Sequence, residues 1–301
     1  VAARPASDDG EPMDATELRE RCARQIDGFS GGYFTDRPWL REAFLAVPRE
    51  HFVPDRVWRP RPKGEAGPHP LLDRTADPEG WLGAVYEPTT PLITQIEDGA
   101  VRPDGPAESS EFTSSISCSS VVVKMLHHLD PQEGDTVLEI GTGTGYNAVL
   151  LAARVGATNV VSMEIQPDIA ERAARTLRQY RGDRDVPLVV AGDGESGYPE
   201  RAPYDRIIST ACVREVPPAW LEQAAPGAVI VTPMVTPFAV DALLRLVADG
   251  EGGAAGSFVT VVSFMRARGQ RPYRPWSEVG WFTLRDLDVR VDAGGQRIRL
   301  H

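Results

Sequence analysis

The stretch VLEIGTGTGYN, Val137 to Asn147, holds the residue types and spacing that most plainly point to chemistry. An apolar run ends in an acid, glycines follow at alternate positions, and an aromatic-led helix opens behind them. Gly141, Gly143 and Gly145 remove the side chains that would hold a bulky ligand away, and they permit positive φ in a turn from strand to helix. A nicotinamide-binding turn has the spacing G-x-G-x-x-G, with a diphosphate over the helix N-terminus. Here the spacing is G-x-G-x-G and Glu139 precedes it. An acid at that point repels a diphosphate and suits a cationic, amine-bearing ligand. S-adenosylmethionine, with its sulfonium and its amino-acid group, meets that requirement.

The candidate cofactor-binding set in this turn is Glu139, Gly141, Thr142, Gly143, Gly145, Tyr146 and Asn147. Glu164, followed by Ile165, ends the next apolar run, where an acid can accept hydrogen bonds from both ribose hydroxyls. Gly192, Asp193 and Gly194 follow a third run, where the adenine edge would be met, and Thr210 closes the fourth, YDRIIST. Each piece has a plain structural reading as a turn glycine or a solvated acid. Their joint order favours a methyltransferase.

The elements that must position these residues alternate from Val121 onward: helix 121–129, strand 136–140, helix 147–154, strand 159–164, helix 168–180, strand 187–191, strand 204–209, a short helix near 218–223 and strand 228–233. Such alternation implies parallel strands with right-handed crossovers, an α/β Rossmann-like sheet of the S-adenosylmethionine-dependent methyltransferase kind. Ahead of it, TELRERCARQI and PWLREAFLAV predict two amphipathic helices, the N-terminal helical segment. Two stretches rich in Pro, Gly and charge, 59–77 and 96–112, read as long loops. Behind the sheet, AVDALLRLVADG, SFVTVVSFMRA, GWFTL and DVRV predict strands, the C-terminal β-rich extension. The expected division is a disordered leader at 1–14, N-terminal helices and substrate-binding loops at 15–120, the methyltransferase core at 121–270 and an extension at 271–301.

Composition limits the alternatives. At 301 residues, 42% hydrophobic and 25% charged, the chain has the balance of a soluble globular protein. A formal charge of -11 argues against nucleic acid or an anionic membrane as partner. The first residues lack the apolar core of a signal peptide, so a cytoplasmic location is the expectation. Cys22, Cys118 and Cys212 share no metal-ligand spacing, and the adjacent His127 and His128 point to different helix faces, so no metal site is expected.

The segments AVPREHFVP, VLEIGTGTGYNAVLLA, AGDGESGYPERAPYDRIISTA and VPPAWLEQAAPGAVIVTPM, in this order, resemble the protein-L-isoaspartate O-methyltransferase family. The resemblance implies methyl transfer from S-adenosylmethionine, leaving S-adenosylhomocysteine, to the carboxylate of a damaged aspartyl residue, the ester then closing to a succinimide. It also implies that SSISCSSVV, Ser114 to Val122, is the substrate loop, with Ser117 matching the family serine that touches the acceptor, flanked by Ser115 and Ser119. Ser119 and Ser120 stand where the family usually has Pro and His.

With its long loops and a tail containing Trp276 and Trp281, the chain is similar to enlarged members of the family associated with lanthipeptide, lasso peptide and graspetide biosynthesis. That similarity implies as partner a macrocyclic or cross-linked peptide, one of whose L-aspartates is methylated and closes to aspartimide. Repair of isoaspartyl proteins is the alternative, and a non-catalytic cofactor-binding module a second. Bland readings remain for Ser115, Ser117 and Ser119 as a polar loop with a helix cap, and Glu87, Thr94 and Gln95 are weaker neighbours of the site.

Overall fold

The computed structural model describes residues 14–30, 32–62, 64–183, 185–236, 241–271, 287–292 and 295–300. The expected leader, the GWFTL strand, Trp276 and Trp281 lie outside the described residues. The chain divides into two compact units, 1–269 and 270–301.

The first unit is organised by a seven-stranded sheet. Its parallel strands are β5 (Val137–Ile140), β6 (Val160–Glu164), β7 (Leu188–Ala191), β8 (Tyr204–Ser209) and β9 (Ala224–Val235). The antiparallel strands β10 (Asp241–Ala248) and β11 (Ala254–Val262) extend it, giving the order β11-β10-β9-β8-β5-β6-β7. β5 lies between β6 and β8, so the chain leaves β5 towards one side of the sheet and later returns to the other. That switch point opens the crevice in which such sheets bind ligands.

The crossovers are α5 (Tyr146–Val155) and α6 (Pro167–Arg181), with a shorter α7 (Pro218–Glu222) before β9. On one face of the sheet the core joins α1 (Ala15–Ser30), α2 (Pro38–Ala46), α4 (Ser119–Leu129) and α5 through Cys22, Phe44, Leu126 and Val149. On the other, Leu138, Ile140, Met163, Ile207 and Trp220 pack together. Strand parity assigns these faces. Val137 belongs to the first cluster and Leu138 and Ile140 to the second, which places Glu139 on the α5 side.

The stretch expected to hold helices and loops contains a second sheet. β1 (Arg56–Trp58), β2 (Leu71–Asp73), β3 (Leu92–Ile96) and β4 (Phe112–Ile116) form an antiparallel sheet in the order β2-β1-β3-β4, with α3 (Pro78–Val85) between β2 and β3. β2 falls inside the expected loop 59–77, a three-residue strand too short to show a period. The second expected loop, 96–112, is irregular apart from one helical turn at Glu97–Gly99 and isolated bridges such as His69 to Ala107. β4 ends one residue before Ser117, so this sheet sets the height of the serine stretch.

The second unit contains a hairpin of β12 (Leu287–Asp292) and β13 (Gly295–Leu300), in agreement with the strand expected at DVRV. Among the described residues no helix is long and apolar enough to cross a membrane.

Leu92 of β3 stands opposite Ile116 of β4, and both are buried. Leu92→Ala leaves a cavity behind the serine-bearing strand and should cost about 2 to 5 kcal/mol. Urea unfolding with an unchanged midpoint would show that this sheet is not packed into the core.

Candidate active site

The glycine turn is held open by its own backbone and by two neighbours. The Gly141 amide donates to the Met163 carbonyl at 2.8 Å and the Gly145 amide to the Thr142 carbonyl at 2.9 Å. Gly141 has φ +93°, and a Cβ there would meet Thr210 Oγ1 at 2.4 Å. Thr210 Oγ1 donates to the Gly141 carbonyl at 2.8 Å, while its amide bonds the Ile140 carbonyl. Thr210 therefore braces the turn from the end of β8. Gly143, at φ +54°, has only the Ser115 carbonyl within reach of an added Cβ, at 3.4 Å. Its outer side is bare backbone, as a cradle for a bulky ligand requires.

Glu164 is buried at the end of β6. Its carboxylate accepts the Gly143 amide at 3.0 Å and the Gln166 amide at 3.1 Å. Burial pushes its pKa up, against those backbone donors and the nearby Arg268. Each oxygen spends one acceptor site on the loop, so the carboxylate fixes the cradle and keeps acceptor capacity for hydroxyl groups.

The sequence reading set Glu139 against the cofactor; the structure buries its carboxyl fully, outside the residues that line the cavity at the turn. Parity turns it towards α5, where Asn147 Nδ2 donates to it at 2.8 Å, and the register Glu139 to Ser162 across β5 and β6 brings the Ser162 hydroxyl to its other oxygen. Ser162 Oγ in turn lies 2.6 Å from Thr142 Oγ1. Burial, opposed by the Ser162 and Asn147 donors and reinforced by the Glu164 charge, raises the pKa to about 7. The carboxyl positions Asn147 and Thr142, which do line a cavity with Gly141, Gly143 and Tyr146.

That cavity also takes in Ser115, Ser117, Ile116 and Thr210, so the structure brings the serine stretch against the glycine turn. Ser119, by contrast, is fully buried as the first residue of α4, beside the Cys22 thiol, whose pKa its burial raises to about 11. Ser119 is thus outside the cavity that takes in Ser115 and Ser117. Asp193 is exposed, and its side chain caps the turn at Gly194–Ser196 by accepting the Glu195 amide at 3.0 Å. Gly194 is needed because a Cβ would meet Ile140 Cγ2 at 2.5 Å. The Gly192 amide bonds the Glu164 carbonyl, and Ile165 sits half-buried between Glu164 and Gln166.

Arg49, Gln166 and Trp220 join the neighbours named from the sequence, Glu87, Thr94 and Gln95. Arg49, from AVPREHFVP, is buried with no acidic partner among the described residues. Its Nε donates to the Val85 carbonyl at 3.0 Å, its Nη2 to the Ser117 carbonyl at 2.7 Å, and its guanidinium lies 5.1 Å from the Tyr146 ring centre. It thus fixes the backbone of the residue expected to meet the acceptor. Gln95 and Gln166 pair amide to amide at 3.0 Å, and Gln166 also reaches Asp98, itself paired with Arg268. Trp220 Nε1 holds the Gly194 carbonyl at 2.8 Å. Glu87 accepts from Thr89 and Thr94 hydroxyl bonds Ser114, so neither joins the serine cavity. Arg49, Gln166 and Trp220 carry no sequence signal of these contacts beyond the place of Arg49 in AVPREHFVP. Among the described residues no group of His, Cys, Asp and Glu is arranged to hold a metal ion.

A glycine cradle at the switch point, an acid at the end of the adjacent strand and a capped turn after the third define an α/β methyltransferase fold of the S-adenosylmethionine-dependent class. The family model for protein-L-isoaspartate(D-aspartate) O-methyltransferase matches residues 104–270. The chain belongs to that family. A protein-L-isoaspartate O-methyltransferase of Ignicoccus hospitalis is 39% identical over 78% of this chain and 92% of its own length. One from Staphylothermus marinus is 42% identical over 46% of this chain, which spans 64% of that relative. A solved protein-L-isoaspartate O-methyltransferase superposes with TM-score 0.61 at 26% identity, covering 85% of this chain and 67% of the other. A Plasmodium falciparum protein in complex with S-adenosyl-L-homocysteine shares the fold, with TM-score 0.59 at 14% identity, over 85% and 99% of the two chains.

The Glu139 carboxyl, ordinarily at 4.5, titrates at about 7 in the folded chain. Folding then disfavours the ionised form, so its contribution is intact below about pH 4.5 and is lost as pH rises to about 7. Glu139→Gln removes the titration and adds a constant offset. The stability of the native chain relative to this variant should therefore fall across that window, and parallel denaturation curves at all pH values would refute the assignment.

Proposed function

We propose that the chain is an S-adenosylmethionine-dependent carboxyl O-methyltransferase acting on isoaspartyl residues of peptides and proteins. The observation that carries this reading is the juxtaposition of Ser117 and Ser115 with the bare glycine turn, in a chain of this family. The residues present fit the cofactor. Gly143 leaves room for it, Glu164 has acceptor capacity for ribose hydroxyls, and the Asn147 amide lines the cavity next to the turn.

When bound beside Gly143, Glu164 and Asn147, S-adenosylmethionine would supply an electrophilic methyl group, its sulfur taking the S–CH3 electron pair as the carboxylate oxygen takes the methyl. The protein's part is placement. A carboxylate with a pKa near 4 is already ionised at neutral pH, so no general base is required. Ser117 supplies a hydroxyl donor to orient it, and Arg49 holds the Ser117 backbone in register. Ester collapse needs no side chain, since the following amide nitrogen attacks the ester carbonyl and methanol leaves with the amide proton.

The names of the relatives favour isoaspartyl repair over the peptide-tailoring reading. A second reading, one L-aspartate of a constrained peptide, draws support from one feature. Where the family usually has Pro and His, this chain has Ser119 buried and Ser120 at the start of α4. Offering a linear isoaspartyl peptide and a macrocyclic L-aspartyl peptide separates the two. Methylation of the first, seen by mass as one added methyl and then a succinimide, supports repair; methylation of the cyclic peptide alone would replace it.

Ser117→Ala should lower kcat/KM about ten- to a hundredfold, the loss of one hydrogen bond to a charged group. Cofactor affinity should be unchanged, and equal loss of both would assign Ser117 to structure. Glu164→Ala should instead weaken cofactor binding by about 1.5 to 3 kcal/mol in calorimetry.

A further inference from the structure

A second cavity of about 600 Å³ lies between α6 and the four-stranded sheet. It meets the active-site cradle at Gly143 and Thr144, which line both cavities, while Ser114 lines this one and its neighbour Ser115 the other. One face of α6, from Asp168 through Arg172 and Thr176 to Gln179, forms its long wall. That face is about 16 Å long at about 1.5 Å per residue, the reach of about five extended residues. The shape suits a chain segment better than a single small ion.

Its charge runs against that of the protein. The chain carries -11, yet the cations lining this groove are Arg56, Arg102, Arg172 and Arg175, with His51, against the acids Asp98 and Asp168. Arg56 is paired with Asp73, Arg175 with Glu171 and Asp98 with Arg268. Arg102 and Arg172 are exposed and make no ion pair among the described residues. An acidic surface repels an acidic ligand everywhere except where the sign reverses, and a cleft focuses that local field. Guanidinium forks then bind carboxylates in pairs of hydrogen bonds. A long polyanion such as nucleic acid would still meet the net negative charge beyond the groove.

We propose that this groove receives the stretch of polypeptide flanking the acceptor and selects acidic side chains there, with Arg102 and Arg172 as the specificity-determining residues. The inference rests on the reading that a peptide carboxylate is the methyl acceptor, and its test separates the two. The probes are fluorescein-labelled peptides with a central isoaspartate flanked on both sides by glutamates, glutamines or lysines. They are offered to the full chain saturated with S-adenosylhomocysteine, for binding by anisotropy, and with S-adenosylmethionine, for turnover. The glutamate peptide should bind at least tenfold more tightly than the glutamine peptide, the lysine peptide most weakly, and added salt should erase the difference.

Arg102→Glu with Arg172→Glu should raise KM for the glutamate peptide at least tenfold while leaving kcat and cofactor affinity unchanged. Lysine at both positions should restore most of the preference. Both arginines are exposed, so these variants retain the core. Equal binding of glutamate and glutamine peptides, or a charge reversal without effect, overturns the groove even if every peptide is methylated. An acidic preference in anisotropy with no methylation of any peptide would instead sustain the groove and defeat the methyltransferase reading.

Discussion

The organisation of the site depends on a carboxyl group buried behind the glycine turn. Glu139 sits inside the protein with no cation beside it among the described residues, a position that is costly unless every acceptor is satisfied and the charge can be relinquished. Both conditions hold. Asn147 and Ser162 occupy its oxygens, and Ser162 passes the connection to Thr142 in the glycine turn. One buried group thereby ties β5, β6, the turn and the first residues of α5 together. Because such a network is satisfied only in one arrangement, it specifies the turn more sharply than apolar packing would.

The acceptor side is built on the opposite charge by the same logic. Arg49 is buried with no carboxylate beside it among the described residues; carbonyl oxygens at the end of α3 and just before α4 take its Nε and Nη2, and its guanidinium lies over the Tyr146 ring. The rest of its motif supports the placement. Glu50 pairs with Arg19 and accepts from Tyr86, and the Phe52 ring packs against Tyr146. Tyr146 thus touches both halves, opening α5 on the cofactor side and stacking beneath Arg49 on the acceptor side. A displacement of Arg49 would be felt at Ser117 through the carbonyl bond and at the turn through Tyr146.

How much of this was legible in the sequence divides along physical lines. The α/β core was, since parallel strands buried on both faces and amphipathic crossover helices write themselves as periods. Ends agreed closely, as at 204–209 and for α4, which begins at Ser119 where 121 was expected. The four-stranded sheet was not, because its strands of three to five residues are too short to show a period and are paired across long insertions rich in Pro and Gly. The burial of Glu139 is more instructive. Its parity with Val137, an apolar core position, turns it under α5, which its closeness to the glycines in sequence does not reveal. The burial of Ser119 has a related cause: a serine opening an amphipathic helix can face inward, and Val122, Val123 and Leu126 fix that face.

These placements bear on where selectivity can reside. Transfer of a methyl group to an ionised carboxylate asks for alignment and dryness, and every isoaspartyl carboxylate presents the same reacting atoms. Ser115 and Ser117 can then distinguish little beyond the acceptor itself. Discrimination among polypeptides must come from surfaces further out, and the surface that adjoins the cradle through Gly143 and Thr144 is the one lined by β-sheet residues and α6. The short strands that were hardest to read in the sequence therefore lie where differences between substrates would be sensed. The core, the part written most plainly, does what any member of the fold must do.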